Sequence, residues 1–186
     1  MKRLIICLAI LLCLSGCSLN KGKIKEYALS DKEASLLEFV GLKRQIYALE
    51  YSPPKNAGEL LVKYYHLEGN RWVEDDCDYI KSDDGVIEAG RIGFFIKENF
   101  TIECSFGNDF VVRTYINEMH LKKMPNGIDF VDGSQEIELN QEMPIAMLSY
   151  GSGGNSVELD FFYHPEVKEE MERIEAITIS FRELEN

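Results

Sequence analysis

Thirty-two carboxylates and three histidines supply most of the reactive groups in this 186-residue chain, and most of their arrangements lead away from catalysis. His66, His120 and His164 stand far apart, with no HExxH run and no i,i+4 partner, so they form no helical zinc pair. Asp75-Asp76, Asp78 and Asp83-Asp84 gather oxygens of the kind calcium takes. The EF-hand order nevertheless fails, because Ile80 lies five residues before Gly85, where an aspartate is required. Charged strand ends and turns account for that cluster without a metal. Gly151-Ser152-Gly153-Gly154 lacks the Gly-Lys-Ser/Thr ending of a phosphate-binding loop and leads into a segment with strand pattern. Tyr150 rather than glycine precedes Ser152 by two positions, which breaks the Gly-x-Ser-x-Gly elbow of a serine nucleophile. No catalytic residue, metal ligand or cofactor motif emerges. What survives is a pair of carboxylates drawn from the 32, whose separation in space decides whether they can cleave a glycosidic bond.

Aromatic pairs offer binding chemistry instead. Tyr64-Tyr65 and Phe161-Phe162-Tyr163 sit on segments that read as strands, where neighbours point to opposite faces. One of each pair then belongs to the core. The other, with Trp72, can form a stacking platform for sugar or peptide. Tyr64, Tyr65, Trp72 and Phe162 are the candidate binding residues.

The elements that must position these groups are mostly short and alternating. Ser30 with Glu33 makes a capping box, and Gly41 is placed to stop the helix, which predicts a helix over 31–39. From Lys43 the pattern has period two. Tyr47, Leu49 and Tyr51 share one strand face, as do Leu60, Val62, Tyr64 and His66 in the next strand. Gly69-Asn70 is a two-residue hairpin signal. Further rows follow: Ile92, Phe94 and Ile96; Phe100, Ile102, Cys104 and Phe106; Phe110, Val112, Thr114 and Ile116; Ile128 and Phe130; Ile137 and Leu139; and Ile145 to Tyr150. Val157, Leu159, Phe161 and Tyr163 read as another strand. Pro165 then opens a second short helix with Val167, Met171 and Ile174 on one stripe, and Ile177, Ile179 and Phe181 close the chain as a strand. Nine to eleven strands with two short helices predict an antiparallel β-sandwich.

The N-terminus has a character of its own. Lys2 and Arg3 precede an unbroken apolar run from Leu4 to Leu14, too short to span a bilayer but the usual length of a secretory core. The run ends at Leu14-Ser15-Gly16-Cys17, which resembles the lipobox of bacterial lipoproteins. The resemblance covers 17 residues. It implies removal of 1–16, a diacylglyceryl group on the sulfur of Cys17, and display on the outer side of a membrane. Two acyl chains on one residue satisfy the two-signal requirement for stable anchoring. Residues 17–30 then read as the lipidated cysteine and a polar tether whose lysines can face anionic headgroups, and 31–186 as the sandwich domain.

Loss of Cys7 and Cys13 with the signal leaves Cys77 and Cys104 as a possible disulfide. The 26 residues between them give a bridge worth about 3–4 kcal/mol by loop entropy. Two unpaired thiols, one buried, are the alternative. Loss of Lys2 and Arg3 takes the net charge from −12 to −14, which argues against nucleic acid and for a globe that stands off an anionic membrane. The expected protein is a membrane-anchored envelope lipoprotein with a non-catalytic binding or structural domain, partnered by an envelope protein or glycan. The competing expectation is a cell-wall or peptide hydrolase using paired carboxylates.

Overall fold

The computed structural model describes residues 21–42, 46–82, 84–96, 101–107, 113–118, 123–152, 156–166 and 169–184, with the backbone alone for 101–107 and 113–118. Alternating rows become eleven strands among the described residues: β1 Gly22–Glu26, β2 Ile46–Ser52, β3 Glu59–Glu68, β4 Arg71–Lys81, β5 Gly90–Ile96, β6 Thr101–Gly107, β7 Arg113–Glu118, β8 Gly127–Phe130, β9 Ser134–Ile137, β10 Glu142–Gly151 and β11 Met171–Arg182. They form two antiparallel sheets, ordered β7-β6-β5-β2-β1-β9 and β4-β3-β11-β10-β8. The protein is mainly β. Its Gly69-Asn70 hairpin pairs Glu68 with Arg71, and Gly69 takes the positive φ of 60° that such a turn favours in glycine.

One face of each sheet looks into a common apolar cluster. Ile24, Leu49, Ile92 and Phe94 enter from the six-stranded sheet, and Leu60, Val62, Ile145, Ile177, Ile179 and Phe181 from the five-stranded one. Rings cross between the two. Tyr47 stacks on Phe130 at 3.8 Å, Tyr51 meets Phe181 at 5.5 Å, and Phe94 meets Phe130 at 5.5 Å. The Tyr47 hydroxyl donates to the Val131 carbonyl at 2.7 Å. Burial pushes that hydroxyl up to about 12, so it stays a donor at any ordinary pH.

Helix α1, Asp31–Phe39, forms where the capping box places it. The Glu33 amide donates to the Ser30 hydroxyl, and the Glu33 carboxylate accepts from the Ser30 amide at 2.8 Å. Gly41, with φ of 75°, ends it, and the Leu42 amide reaches back to the Leu37 carbonyl.

Three expectations are corrected. Gly22–Glu26, read as part of a tether, is strand β1, held between β2 and β9 with Ile24 fully buried. A single apolar residue suffices there because both neighbours supply ladder hydrogen bonds. Gly22 is required by its surroundings, since a Cβ would stand 2.4 Å from the Ser52 carbonyl oxygen. The predicted second helix is absent from the described residues: Met171 and Ile174 belong to β11. That strand is buried on both faces, so its apolar residues run nearly continuously and imitate helical spacing. The strand expected over Val157–Tyr163 is instead a 3-10 helix at Leu159–Phe162.

Candidate functional site

The outer face of the five-stranded sheet carries a second, smaller apolar cluster. Met147, Val157, Ile174 and Ala176 are each at most 3% exposed, and the 3-10 helix lies over them. Asp129 starts that helix by accepting from the Leu159 amide at 3.0 Å. The Trp72 indole N–H fixes its other end by donating to the Phe162 carbonyl at 2.8 Å. The rings form a continuous cover: Trp72 stacks on Phe162 at 5.3 Å, Tyr65 meets Phe162 edge-on at 5.8 Å, and Trp72 meets Phe161 at 6.3 Å. Tyr163 extends the row, edge-on to Phe162 at 5.7 Å and half exposed.

A polar rim borders this cover. Lys63 donates to Glu74 at 2.7 Å and to the Tyr65 hydroxyl at 3.2 Å. Glu142 accepts from the Thr178 hydroxyl at 2.5 Å and lies 3.9 Å from Lys63. The Lys63–Glu74 hydrogen bond holds the ammonium above its usual range. Burial, with Glu142 beside it, holds the Tyr65 hydroxyl up as well, and burial with Asp160 and Glu142 does the same for Tyr163. An apolar ledge with a few oriented donors and acceptors at its edge is the usual make-up of a recognition surface.

Three of the four predicted aromatics, Tyr65, Trp72 and Phe162, therefore meet. The fourth does not: Tyr64 is 2% exposed in the main core. Phe161 and Phe162 both reach the cover because a 3-10 turn does not alternate faces as a strand does. Replacing Trp72 by Phe removes the indole donor and leaves the Phe162 carbonyl unpaired. The expected loss is about 1 kcal/mol in urea unfolding with an unchanged m-value. Unaltered stability would mean that this hydrogen bond does not hold the cover down.

A partly buried polar cluster has no counterpart in the sequence pattern. A register shift between Tyr64 and Tyr65 leaves Asp75 as the extra residue of a β-bulge on β4. Its carboxylate reaches His66 Nδ1 at 2.7 Å and accepts from Arg173 Nη2 at 3.3 Å. Arg173 Nε donates to Glu175 at 2.6 Å, and Glu175 accepts from the Tyr150 hydroxyl at 2.9 Å. Burial, with Glu175 facing it, drives the Tyr150 hydroxyl far above its ordinary value. The other His66 nitrogen lies 3.1 Å from Glu68. Arg173 thus holds one carboxylate on each side of its guanidinium, an arrangement suited to locking β3, β4, β10 and β11 together. No signal in the sequence marks the bulge, and the apolar spacing of Met171 and Ile174 around Arg173 predicts a helix there instead.

The opposite sheet has a different surface. A groove of about 680 Å³ on its outer face is lined by Lys23 and Lys25 of β1, Glu50 and Ser52 of β2, Arg91 of β5 and Ser134 of β9. Lys25 pairs with Glu50 at 2.7 Å, and the Arg91 guanidinium lies 4.0 Å above the Tyr27 ring.

Cys77 is a free thiol, half-buried on β4, so the bridge to Cys104 is not formed. The reason is facing: Cys77 lies opposite Lys63 and so shares the outer face of the five-stranded sheet, pointing away from the other sheet, where Cys104 lies on β6 with its side chain outside the described residues. Burial and the neighbouring Glu74 raise the Cys77 thiol above its ordinary value. Cys17 also lies outside the described residues. Among the described residues no three His, Cys, Asp or Glu side chains are grouped to hold a metal. No protein family, curated protein or solved structure matches the chain.

Proposed function

We propose that this chain is a bacterial envelope lipoprotein, anchored by lipid on Cys17 outside a membrane, whose two sheets pack as a β-sandwich that works by binding. Leu14-Ser15-Gly16-Cys17, directly after an eleven-residue apolar run, supports the anchor. The single apolar cluster drawn from both sheets supports the sandwich. The observation that carries the binding reading is the aromatic ledge of Tyr65, Trp72, Phe162 and Tyr163 with its rim of Lys63, Glu74 and Glu142. Rings stack on sugar faces or peptide side chains, while the carboxylates accept from hydroxyls and the ammonium donates to them. An envelope glycan or protein is the partner such a surface fits.

Two measurements test this. Cys17→Ala is expected to leave the protein shed from the membrane or held as unprocessed precursor, read by fractionation and intact mass. A processed Cys17→Ala protein that stays wholly with the membrane rejects the anchor. A photo-reactive group at Tyr163 is expected to capture an envelope component that the same group at Glu88, distant in sequence and outside the ledge, does not. Equal capture at both positions rejects the ledge.

A further inference from the structure

We propose that the outer face of the six-stranded sheet, together with helix α1, rests on the anionic leaflet that holds the lipid of Cys17; this rests on the lipid-anchor reading. The first observation is distance. Residues 17–30 are not a long tether, because β1 begins at Gly22 and its centre is fixed in the sheet. Five residue steps separate Cys17 from Gly22, and fully extended they reach about 18 Å. A domain on so short a leash stays beside the bilayer.

The second observation is charge. Ile24 points into the core, so Lys23 and Lys25 point outward. Register then sets Arg91 beside Glu50 and Glu50 beside Lys25, across β5, β2 and β1. Three cations line the groove against Glu50, with Glu136 beside Lys23 at its edge, in a chain of net charge −12. Within a Debye length of about 8–10 Å such a face is drawn to anionic headgroups, while the acidic remainder is repelled. The same field that makes an acidic globe stand off therefore orients this one, cations inward.

The third observation is an unpartnered apolar ridge on the same side. Leu36, Phe39 and Val40 stand at i, i+3 and i+4 of α1 and its cap, and they are 62%, 89% and 50% exposed. The Tyr27 hydroxyl ties the helix to the cationic face: it donates to Glu33 of α1 at 3.2 Å, while Arg91 covers its ring. Leu36, Phe39 and Val40 are the apolar element of such a contact, and the cations come from the sheet, because α1 itself carries Asp31, Glu33 and Glu38 against Lys32. The outer face of the five-stranded sheet, with its aromatic ledge, is then turned away from the lipid and toward the envelope.

The test uses full-length lipidated protein, in native membranes and reconstituted into vesicles of phosphatidylethanolamine with phosphatidylglycerol or of phosphatidylcholine alone. The photo-reactive amino acid p-benzoylphenylalanine replaces Phe39, or Tyr79 on the opposite sheet as control. Phospholipid adducts are expected at position 39 and not at 79. They should be severalfold more abundant on the anionic vesicles and should fall severalfold in Lys23→Glu/Lys25→Glu protein that still floats with the vesicles. Equal adducts at both positions, indifference to anionic lipid and to the charge reversal, or a protein adduct at position 39 in native membranes would each overturn the proposal. Intact mass separates the two readings. Protein lacking lipid on Cys17 rejects the anchor, whereas lipidated protein without lipid adducts at position 39 rejects this orientation alone.

Discussion

Arg173→Met should destabilise the fold by about 2–3 kcal/mol, because it removes charge-assisted hydrogen bonds from a partly buried cluster. The Arg173 side chain is 17% exposed, and it separates Glu175, itself 9% exposed, from Asp75. Methionine fills much of the same volume but donates nothing, so Glu175 keeps only Tyr150 among its described hydrogen-bond partners. Asp75 keeps His66. The cluster is a lock rather than a source of affinity for the folded state, because taking these charges out of water offsets most of their mutual attraction. Arg173→Met/Glu175→Gln, which removes the uncompensated charge and keeps an acceptor for the Tyr150 hydroxyl, should therefore recover much of the loss. Urea unfolding of the wild type, the single variant and the double variant makes the comparison. A single variant within about 0.5 kcal/mol of wild type would show that the guanidinium does not hold these strands.

What the sequence made legible follows from how locally each feature is encoded. The capping box of α1 needs Ser30, Glu33 and their shared backbone, all within one turn, and it forms as predicted. Leu60, Val62 and Tyr64 alternate on a strand whose other face is only partly covered, so period two survives in the text and places them in the core. β11 is different. Ile174 and Ala176 serve the outer cluster while Ile177, Ile179 and Phe181 serve the inner one. With both faces apolar the alternation disappears, and a helix with the same spacing is indistinguishable from local pattern.

The site was half legible for the same reason. Tyr65, Trp72 and Phe162 read as binding aromatics from their positions alone, but what gathers them is long-range. The Trp72–Phe162 contact spans 90 residues and depends on a 3-10 turn that the flanking aromatics disguised as a strand. The Asp75 bulge and the Arg173 lock depend on cross-strand register, which sequence spacing does not record. Cys77 falls short as a bridge partner because it shares the outer face of its sheet with Lys63, a facing set by cross-strand register rather than by local spacing.

The sharpest separation of strand from tether comes at adjacent residues of β1. Ile24 is fully buried, with Tyr51 and Gln135 as its cross-strand neighbours. Lys23 points out beside Ser52 and Glu136. Ile24→Ala removes buried methyl groups and leaves a cavity, at an expected cost of about 2–5 kcal/mol. Ile24→Asp is worse, because it sets a carboxylate among apolar neighbours with no cation in reach. Its cost is comparable to the roughly 5–15 kcal/mol that holds a domain of this size together. Lys23→Ser, one position earlier, should fall within about 0.5 kcal/mol of wild type. The consequence is larger than local, since β1 lies between β2 and β9, and its loss leaves both with unpaired edges. Ile24→Asp is thus expected to give a protein that is largely unfolded or aggregated by circular dichroism and size exclusion, with Lys23→Ser indistinguishable from wild type. A flexible tether would tolerate both changes alike, so two well-folded variants would remove β1 from the sheet and with it the short leash to Cys17.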